Sequence, residues 1–359
     1  MIMHYAVYSC VVNHVHTVNQ EPIRVSIAGA SGYSGTELIK LLVRHPGVRI
    51  ETLYAASSAG QRADELYPAL RGRIGMRYES LDTIEDLDAD LLFVALPSGH
   101  AMDLLDRLPA NRARVIDLGG DFRLHDAELY ARYYGREHSA PSKLGSVPYG
   151  LPEWNSGEIA GASLVANPGC YPTSILLPLL PLVRDGVIVT EWITASSLSG
   201  VSGAGRASSV ELSYTEMHDN VRAYRVGAHQ HTPEITTMLR SIAGHETSVT
   251  FIPHLAPIAR GIYSTITARL AEGATAADVT ASYDRAYADA PFVRISATSI
   301  PELGAVVGTN FIDIGYRVDD ATGSLVLLST IDNLIKGAAG QAIQNMNIMF
   351  GFQETEGLL

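Results

Sequence analysis

A glycine-rich turn near the start of this 359-residue chain constrains its fold more than any other feature. An apolar strand predicted at 23–28 leads into GASGYSG at 29–35, and residues 36–44 carry leucines at helical spacing. Further apolar strands are predicted at 49–55, 91–96 and 115–118. Strands that alternate with helical segments indicate an α/β domain with a doubly wound parallel sheet.

The pattern changes after about residue 165. Five β-rich segments follow, at 191–198, 247–253, 262–270, 311–318 and 324–330. Helical patterns at 234–243 and 276–288 separate them. Several of the β segments alternate polar and apolar residues, which predicts an α+β domain with a largely antiparallel sheet that is wet on one face.

These patterns predict two domains and a tail. We expect a tail at 1–22, a nucleotide-binding domain at 23–165 and 331–359, and a catalytic and oligomerisation domain at 166–330. A helix predicted over 333–350 would then pack back onto the first domain.

Charge and cysteine usage limit the function. A net charge of −12 argues against a nucleic-acid partner, which needs a basic face. No apolar run reaches the roughly 18 residues that a membrane span needs. With two cysteines, Cys10 in the tail and Cys170 in mid-chain, we expect a reducing cytoplasm, and a metal site built on cysteine pairs is excluded.

The glycine turn predicts a dinucleotide site of the Rossmann type. Its glycines, Gly29, Gly32 and Gly35, would let backbone N–H groups approach a pyrophosphate at a helix N-terminus, and Ser31, Tyr33 and Ser34 lie between them. The spacing is GxxGxxG rather than the commoner GxGxxG, and an ordinary βα turn is the alternative. The position after the first strand of an α/β domain favours the cofactor.

The end of the second predicted strand favours NADP(H) over NAD. An acidic residue there usually binds the ribose 2′-hydroxyl, but this chain has no acid directly after Ala55. Ser57 and Ser58 could donate to a 2′-phosphate and Arg62 could neutralise it. The alternative is that the serines only cap the next turn.

Cys170 is the candidate nucleophile. A short apolar strand at 164–166 leads into NPGCYPT at 167–173 and then an apolar helix, so the cysteine is predicted just before a helix N-terminus. The helix dipole and its free N–H groups would stabilise a thiolate and an oxyanion. Isolated cysteines are usually inert core residues, but the turn favours the reactive interpretation.

Two histidines are candidates for proton transfer. His229 and His231 are two residues apart and would share a face in an extended segment. A metal site with Glu234 is a rival, although neither a third histidine nor an HExxH motif accompanies them. A purely structural pair is the other alternative.

Five motifs in order resemble the N-acetyl-γ-glutamyl-phosphate reductase family: GASGYSG at 29–35, GGDFRL at 119–124, YGLPE at 149–153, NPGCYPT at 167–173 and HQHTPEI at 229–235. The resemblance runs from about residue 23 to the C-terminus. Ala228, where the family would have glycine, is a small departure. The resemblance implies a cytoplasmic, NADP-dependent homo-oligomer, a dimer or a tetramer, with the aspartate-semialdehyde dehydrogenase fold and N-acetyl-γ-glutamyl phosphate as its substrate.

The resemblance also implies roles for individual residues. Cys170 would form a thioester, and His231 would be the acid–base with His229 close by. Arg123, Asn167, Arg206 and Glu234 would contact the substrate, with Arg206 on the acyl phosphate or the leaving phosphate. Pro97, Ser98 and Asn333 would contact the cofactor, the first two near the nicotinamide.

Three rival functions remain at this point. Aspartate-semialdehyde dehydrogenase has the same chemistry on a shorter substrate, and YGLPE and the His-x-His pair favour the glutamyl enzyme. A silent NADP-binding regulator would not depend on Cys170. A cysteine–histidine hydrolase would leave the glycine turn unexplained.

Overall fold

A computed structural model describes residues 21–109, 113–319 and 321–359. The predicted tail at 1–22, with Cys10, therefore lies outside the described residues except for its last two positions.

A six-stranded parallel sheet forms the N-terminal part, in the order β3-β2-β1-β4-β5-β6. Its strands are β1 Ile23–Ala28, β2 Val48–Ala55, β3 Tyr78–Ser80, β4 Leu91–Val94, β5 Arg114–Asp117 and β6 Leu164–Ala166. Its helices are α1 Tyr33–Leu42, α2 Ala63–Leu66, α3 Ala101–Leu105, α4 Ala127–Tyr134 and α5 Pro152–Ala160. This order confirms the predicted doubly wound sheet, and it reverses direction between β1 and β4, where such sheets bind ligands.

A seven-stranded mixed sheet forms the second part, in the order β11-β12-β13-β10-β7-β9-β8. Its strands are β7 Ile188–Gly200, β8 Arg222–Ala223, β9 Val249–Ala256, β10 Ile262–Leu270, β11 Val293–Ser296, β12 Ile312–Asp319 and β13 Ser324–Ile331. The helices are α6 Cys170–Arg184, α7 Tyr214–Met217, α8 His231–Ala243 and α9 Ala276–Tyr287. Four of its six strand pairs are antiparallel, which confirms the largely antiparallel character.

Helix α6 contains two prolines and is almost wholly buried. Pro178 and Pro181 have no N–H group, so the carbonyls of Ser174 and Leu177, four residues earlier, lose their helical partners. The Ser329 hydroxyl donates to the Ser174 carbonyl at 2.6 Å, and the Tyr287 hydroxyl donates to the Leu177 carbonyl at 2.6 Å. The surrounding domain thus compensates for both prolines, and the helix holds Cys170 at its first residue.

The C-terminal segment returns to the first sheet, as predicted. A π-helical turn at Ile335–Ala339 continues into α10 Gly340–Phe350. Ile343 and Met346 have no exposed surface and belong to the same apolar cluster as Val25 and Leu38. The exact domain boundaries remain a prediction.

Candidate active site

A cleft of about 1140 Å³ lies at the carboxyl ends of β1 and β4 and extends to the start of α6. Most of the residues predicted for the site line it: Ser31, Gly32, Tyr33, Ser34, Ser57, Ser58, Pro97, Ser98, Arg123, Cys170, Arg206, His231 and Asn333. The other predicted residues are absent from its lining: Gly29, Gly35, Arg62, Asn167, His229 and Glu234. The glycine turn and Cys170 therefore line the same cleft.

The glycine turn fits a bound dinucleotide. A Cβ on Gly29, which has a φ of +84°, would lie 2.3 Å from the Ala95 carbonyl oxygen, and a Cβ on Gly35 would lie 2.4 Å from the Gly29 oxygen. These two glycines therefore close the turn, while Gly32 leaves bare backbone at the cleft. Helix α1 then begins at Tyr33 without a side-chain cap, so the N–H groups of its first turn are available to a pyrophosphate.

The turn after β2 differs from the expectation at one residue. Ser57 and Ser58 line the cleft, but Arg62 does not, and its Nε and Nη2 atoms donate to Asp64 at 2.9 Å. Its guanidinium is therefore neutralised by its own loop, and the predicted contact with a 2′-phosphate is not supported by its position.

Cys170 is the first residue of α6 rather than the residue before it. Gly337, in the π-helical turn, packs so closely that an added Cβ would lie 2.7 Å from the Cys170 Cβ. Burial raises the pKa of the Cys170 thiol to about 11, although Arg123 and the Tyr171 N–H group oppose the rise. The expected stabilisation of the thiolate is therefore present but outweighed by desolvation, so the thiol needs a base.

Glu234 holds the cysteine loop from beneath. Its Oε1 atom accepts hydrogen bonds from the Gly169 N–H at 2.8 Å and from the Tyr149 hydroxyl at 2.7 Å, and its Oε2 atom is 3.4 Å from Arg123 Nη1. The residue has no exposed surface. In this placement Glu234 supports the cysteine loop, and its expected contact with the substrate stays a prediction.

Asn167 is likewise enclosed rather than exposed to substrate. Its amide group donates to the Ala338 carbonyl at 3.2 Å and accepts from Asn345 Nδ2 at 3.0 Å, and it has no exposed surface. These bonds join the cysteine loop to the C-terminal segment, and the expected contact of Asn167 with the substrate stays a prediction.

The two histidines do not share an extended segment, but their ring centroids lie only 4.8 Å apart. His231 begins α8 and lines the cleft, where its Nε2 atom is 3.4 Å from Arg123 Nη1 and would be 2.5 Å from a Cβ on Gly169. Its other ring nitrogen is buried without a partner among the described residues. His229 instead accepts from the His231 N–H at 3.1 Å and packs against the ring of Tyr171.

Both histidines are neutral at pH 7. Burial, reinforced by the charge of Arg225, lowers the pKa of His229 to about 4. Burial also lowers the pKa of His231 well below 6.5, and His229 and Arg123 act in the same direction. A neutral imidazole at the cleft can accept a proton.

Arg123 fixes a positive charge beside Cys170. Its Nε atom donates to the Asn167 carbonyl at 2.8 Å, and its Nη2 atom donates to the Leu118 carbonyl at 2.8 Å. Burial alone would lower its pKa, but Glu234 raises it above the ordinary value, so the group stays charged. Its place in the cleft suits an anionic group of a substrate.

Two other predicted residues make contacts within the protein that the motifs did not indicate. Arg206 is at the glycine turn, where it donates to the Ser31 carbonyl at 3.2 Å, and not beside the reactive cysteine. Asn333 lines the cleft, but its amide accepts from the Gly261 N–H at 2.7 Å and donates to Ser202 Oγ at 3.1 Å. Its side chain therefore positions the loop that begins at Val201.

Sequence reasoning missed several residues of the site. Asp121 accepts from the N–H groups of Gly99 and Ala101, at 2.5 and 2.9 Å, and so fixes the loop that carries Pro97 and Ser98. Arg225 lines the cleft at a φ of 46° and donates to the Gln230 side chain at 2.8 Å. Asp121 could have been found as the buried acid of the GGDFRL motif, whereas nothing in the pattern marked Arg225.

Within the described ranges, no group of three or more His, Cys, Asp or Glu side chains could hold a metal ion. Across the same residues, no helix combines the length and hydropathy that crossing a bilayer requires.

Two protein families match this chain, one over each of its two parts. Residues 24–162 match the family described as semialdehyde dehydrogenase, NAD binding domain, and residues 170–333 match semialdehyde dehydrogenase, dimerisation domain. The solved aspartate semialdehyde dehydrogenase II of Vibrio cholerae superposes with a TM-score of 0.69 at 17% identity, over 92% of this chain and 99% of that one. That of Candida albicans with NADP gives 0.66 at 19% identity, over 92% and 99%. These structures share the fold of this chain. The family match over residues 24–162 establishes a domain that binds a nicotinamide nucleotide.

Curated relatives are much closer in sequence. The N-acetyl-γ-glutamyl-phosphate reductase of Syntrophobacter fumaroxidans is 47% identical over 94% of this chain and 98% of its own length. That of Desulfotalea psychrophila is 48% identical over 94% and 98%. The chain belongs to the N-acetyl-γ-glutamyl-phosphate reductase family of acyl-phosphate-reducing oxidoreductases.

Proposed function

We propose that this chain reduces N-acetyl-γ-glutamyl phosphate to N-acetylglutamate semialdehyde and inorganic phosphate with NADPH, through a thioester on Cys170. The observation that carries this proposal is a single cleft that holds both the uncapped N-terminus of α1 and the thiol at the N-terminus of α6. The family relationship supplies the substrate, and the absence of an acid at the end of β2 supports NADPH over NADH.

His231 is the base that activates the thiol. Since burial raises the Cys170 pKa to about 11, the thiol is protonated at pH 7 until a neighbouring base removes the proton. The neutral His231 ring, in contact with Gly169, is placed to accept it. Arg123 stabilises the thiolate that forms, and its charge also suits the acyl phosphate.

The reaction then proceeds in two stages. The Cys170 sulfur bonds to the acyl carbon, and the bond between that carbon and the bridging phosphate oxygen breaks. Phosphate leaves with the electron pair of that bond and takes up a proton from solvent. The bound nicotinamide supplies a hydride for the thioester carbonyl carbon. The first N–H groups of α6 would stabilise the oxyanion of the resulting thiohemiacetal. This oxyanion re-forms the carbonyl as the carbon–sulfur bond breaks. The sulfur leaves as a thiolate, which takes the proton back from His231.

The reverse reaction tests this function. The purified protein should reduce NADP⁺ with N-acetylglutamate semialdehyde only when phosphate is present, and Cys170→Ser should abolish this activity. Retained activity in the variant would refute the thioester route. Faster turnover of aspartyl phosphate than of N-acetyl-γ-glutamyl phosphate would assign the chain to the aspartate-semialdehyde reaction instead.

We also propose a homo-oligomer that pairs through the outer face of the seven-stranded sheet. The matched dimerisation domain includes β7, whose Trp192 is 73% exposed and whose Leu198 is also exposed on the same face. Trp192→Glu should shift the mass in light scattering toward the monomer, whereas an unchanged mass would exclude this face.

The cysteine usage supports the cytoplasm as the location of the protein.

A further inference from the structure

Three arginines line the active-site cleft: Arg123, Arg206 and Arg225. Arg123 is beside the reactive cysteine, and Arg225 is next to Gln230, the residue before His231. Arg206 belongs to the second domain but lies at the other end of the cleft, against the nucleotide-binding turn.

The contacts of Arg206 locate it at the glycine turn. Its Nη1 atom donates to the Ser31 carbonyl at 3.2 Å, and its guanidinium carbon lies 5.4 Å from the centre of the Tyr67 ring. The Tyr67 hydroxyl donates to the same Ser31 carbonyl at 2.8 Å. Ser57 and Ser58, at the end of β2, line the same cleft. Arg206 therefore lies on the side of the turn where the adenosine ribose of a dinucleotide binds in this fold.

The loop that carries Arg206 is held in place by three hydrogen bonds. The Val201 and Ser202 N–H groups donate to the carbonyls of Ile258 and Ala259, at 3.0 and 3.2 Å. Asn333 Nδ2 donates to Ser202 Oγ at 3.1 Å. Because these bonds fix the loop, Arg206 is presented across the cleft from an anchored base.

The charge of Arg206 is available to a ligand. No carboxylate of the described residues forms an ion pair with it, whereas Arg62 donates to both carboxylate oxygens of Asp64, from Nε and Nη2, at 2.9 Å each. Glu51, an acid of β2, contacts Arg49. Arg206 is thus an unneutralised cation of the cleft, near the place where the sequence pattern put Arg62.

We propose that Arg206 binds the 2′-phosphate of NADP(H) from the second domain and sets the preference for NADP(H) over NAD(H). The proposal rests on the proposed use of this cofactor. A phosphate monoester carries a charge of about −1.5 to −2 at pH 7 and pairs well with a guanidinium group. The serines after β2 complete the phosphate site from the first domain, so the bound cofactor joins the two domains through Arg206.

Binding measurements test the proposal without turnover. Calorimetry gives the Kd of NADP⁺ and of NAD⁺ for the wild type, for Arg206→Gln and for the matched control Arg62→Gln. We expect Arg206→Gln to weaken NADP⁺ by about ten- to a hundredfold, as for a lost hydrogen bond to a charged group, and to leave NAD⁺ within about twofold. Arg62→Gln should bind both cofactors as the wild type does.

Other outcomes would overturn this assignment. An equal loss of NADP⁺ and NAD⁺ in Arg206→Gln would place the residue on the pyrophosphate, and a selective loss in Arg62→Gln would return the role to that residue. Unchanged NADP⁺ binding with a raised KM for phosphate in the reverse reaction would place Arg206 on the substrate. A wild type that binds NAD⁺ as tightly as NADP⁺ would instead refute the proposed cofactor itself.

Discussion

Replacement of Glu234 by glutamine tests how the cysteine loop is supported. The glutamine side chain would keep an oxygen for the Gly169 N–H and the Tyr149 hydroxyl, but it would leave the buried charge of Arg123 without its carboxylate. Removal of one partner of a buried ion pair costs about 3–5 kcal/mol. With an unfolding entropy of about 2.1 cal/mol/K per residue, this corresponds to a fall in Tm of about 4–7 °C for a chain of this length.

The same change should alter the reactivity of the cysteine. Burial is the main cause of the raised Cys170 pKa, and the negative charge of Glu234 adds to it. In Glu234→Gln the midpoint of Cys170 alkylation by iodoacetamide should therefore move to lower pH. This shift separates an electrostatic role from simple loss of structure, which would raise alkylation at every pH.

Glu246→Gln is the matched control. Glu246 pairs with Arg240 at 2.6 Å beyond the end of α8, but its side chain is 83% exposed, and exposed pairs contribute little. Its Tm and alkylation profile should equal those of the wild type. If Glu234→Gln were as stable as this control and its alkylation midpoint did not move, the buried network would not support the site as argued.

Two further predictions concern the histidines. His231→Asn should lower kcat by about 10²–10⁴-fold while NADP⁺ affinity persists, as for loss of a general base, whereas His229→Asn should retain most activity; the opposite ranking in steady-state assays would assign the base to His229. The pKa of His229 is about 4 in the folded protein, against 6.5 in an unfolded chain. Below pH 6.5 the unfolded state therefore binds a proton that the folded state does not bind until the pH is near 4. The contribution of His229 to the free energy of unfolding should therefore fall as the pH falls from 6.5, by about 3 kcal/mol near pH 4. In denaturation series at several pH values, His229→Asn should lose less unfolding free energy between pH 6.5 and pH 4 than the wild type. An equal decrease in both proteins would disprove this cause.

The sequence predicted the larger elements well because their apolar periodicity is strong. Strand β10 occupies the predicted range, and the returning C-terminal helix packs where it was expected. Strand β8 has two residues and β11 has four, so neither carries enough pattern to be recognised. Both strands form by pairing with the outer strands of the existing sheet, β8 with β9 and β11 with β12.

The candidate site was predicted in kind but not in every role. The motifs brought Cys170, His231 and the glycine turn together, since each lies next to a recognisable element boundary. Burial decided the rest: it raised the Cys170 pKa and enclosed Glu234. Sequence spacing could not show that Arg206 crosses to the glycine turn, because that depends on a tertiary contact. The bond between Arg62 and Asp64 is local, but it depends on a loop conformation that the apolar pattern does not define.

Mass spectrometry of the acylated enzyme, first intact and then as peptides, tests the thioester route most directly. When the protein is mixed with N-acetyl-γ-glutamyl phosphate in the absence of NADPH, an N-acetylglutamyl group should appear on the peptide that contains Cys170. Hydroxylamine or NADPH should remove it, and Cys170→Ala should acquire none. Turnover by Cys170→Ala, or turnover by the wild type with no adduct on this peptide, would contradict the account.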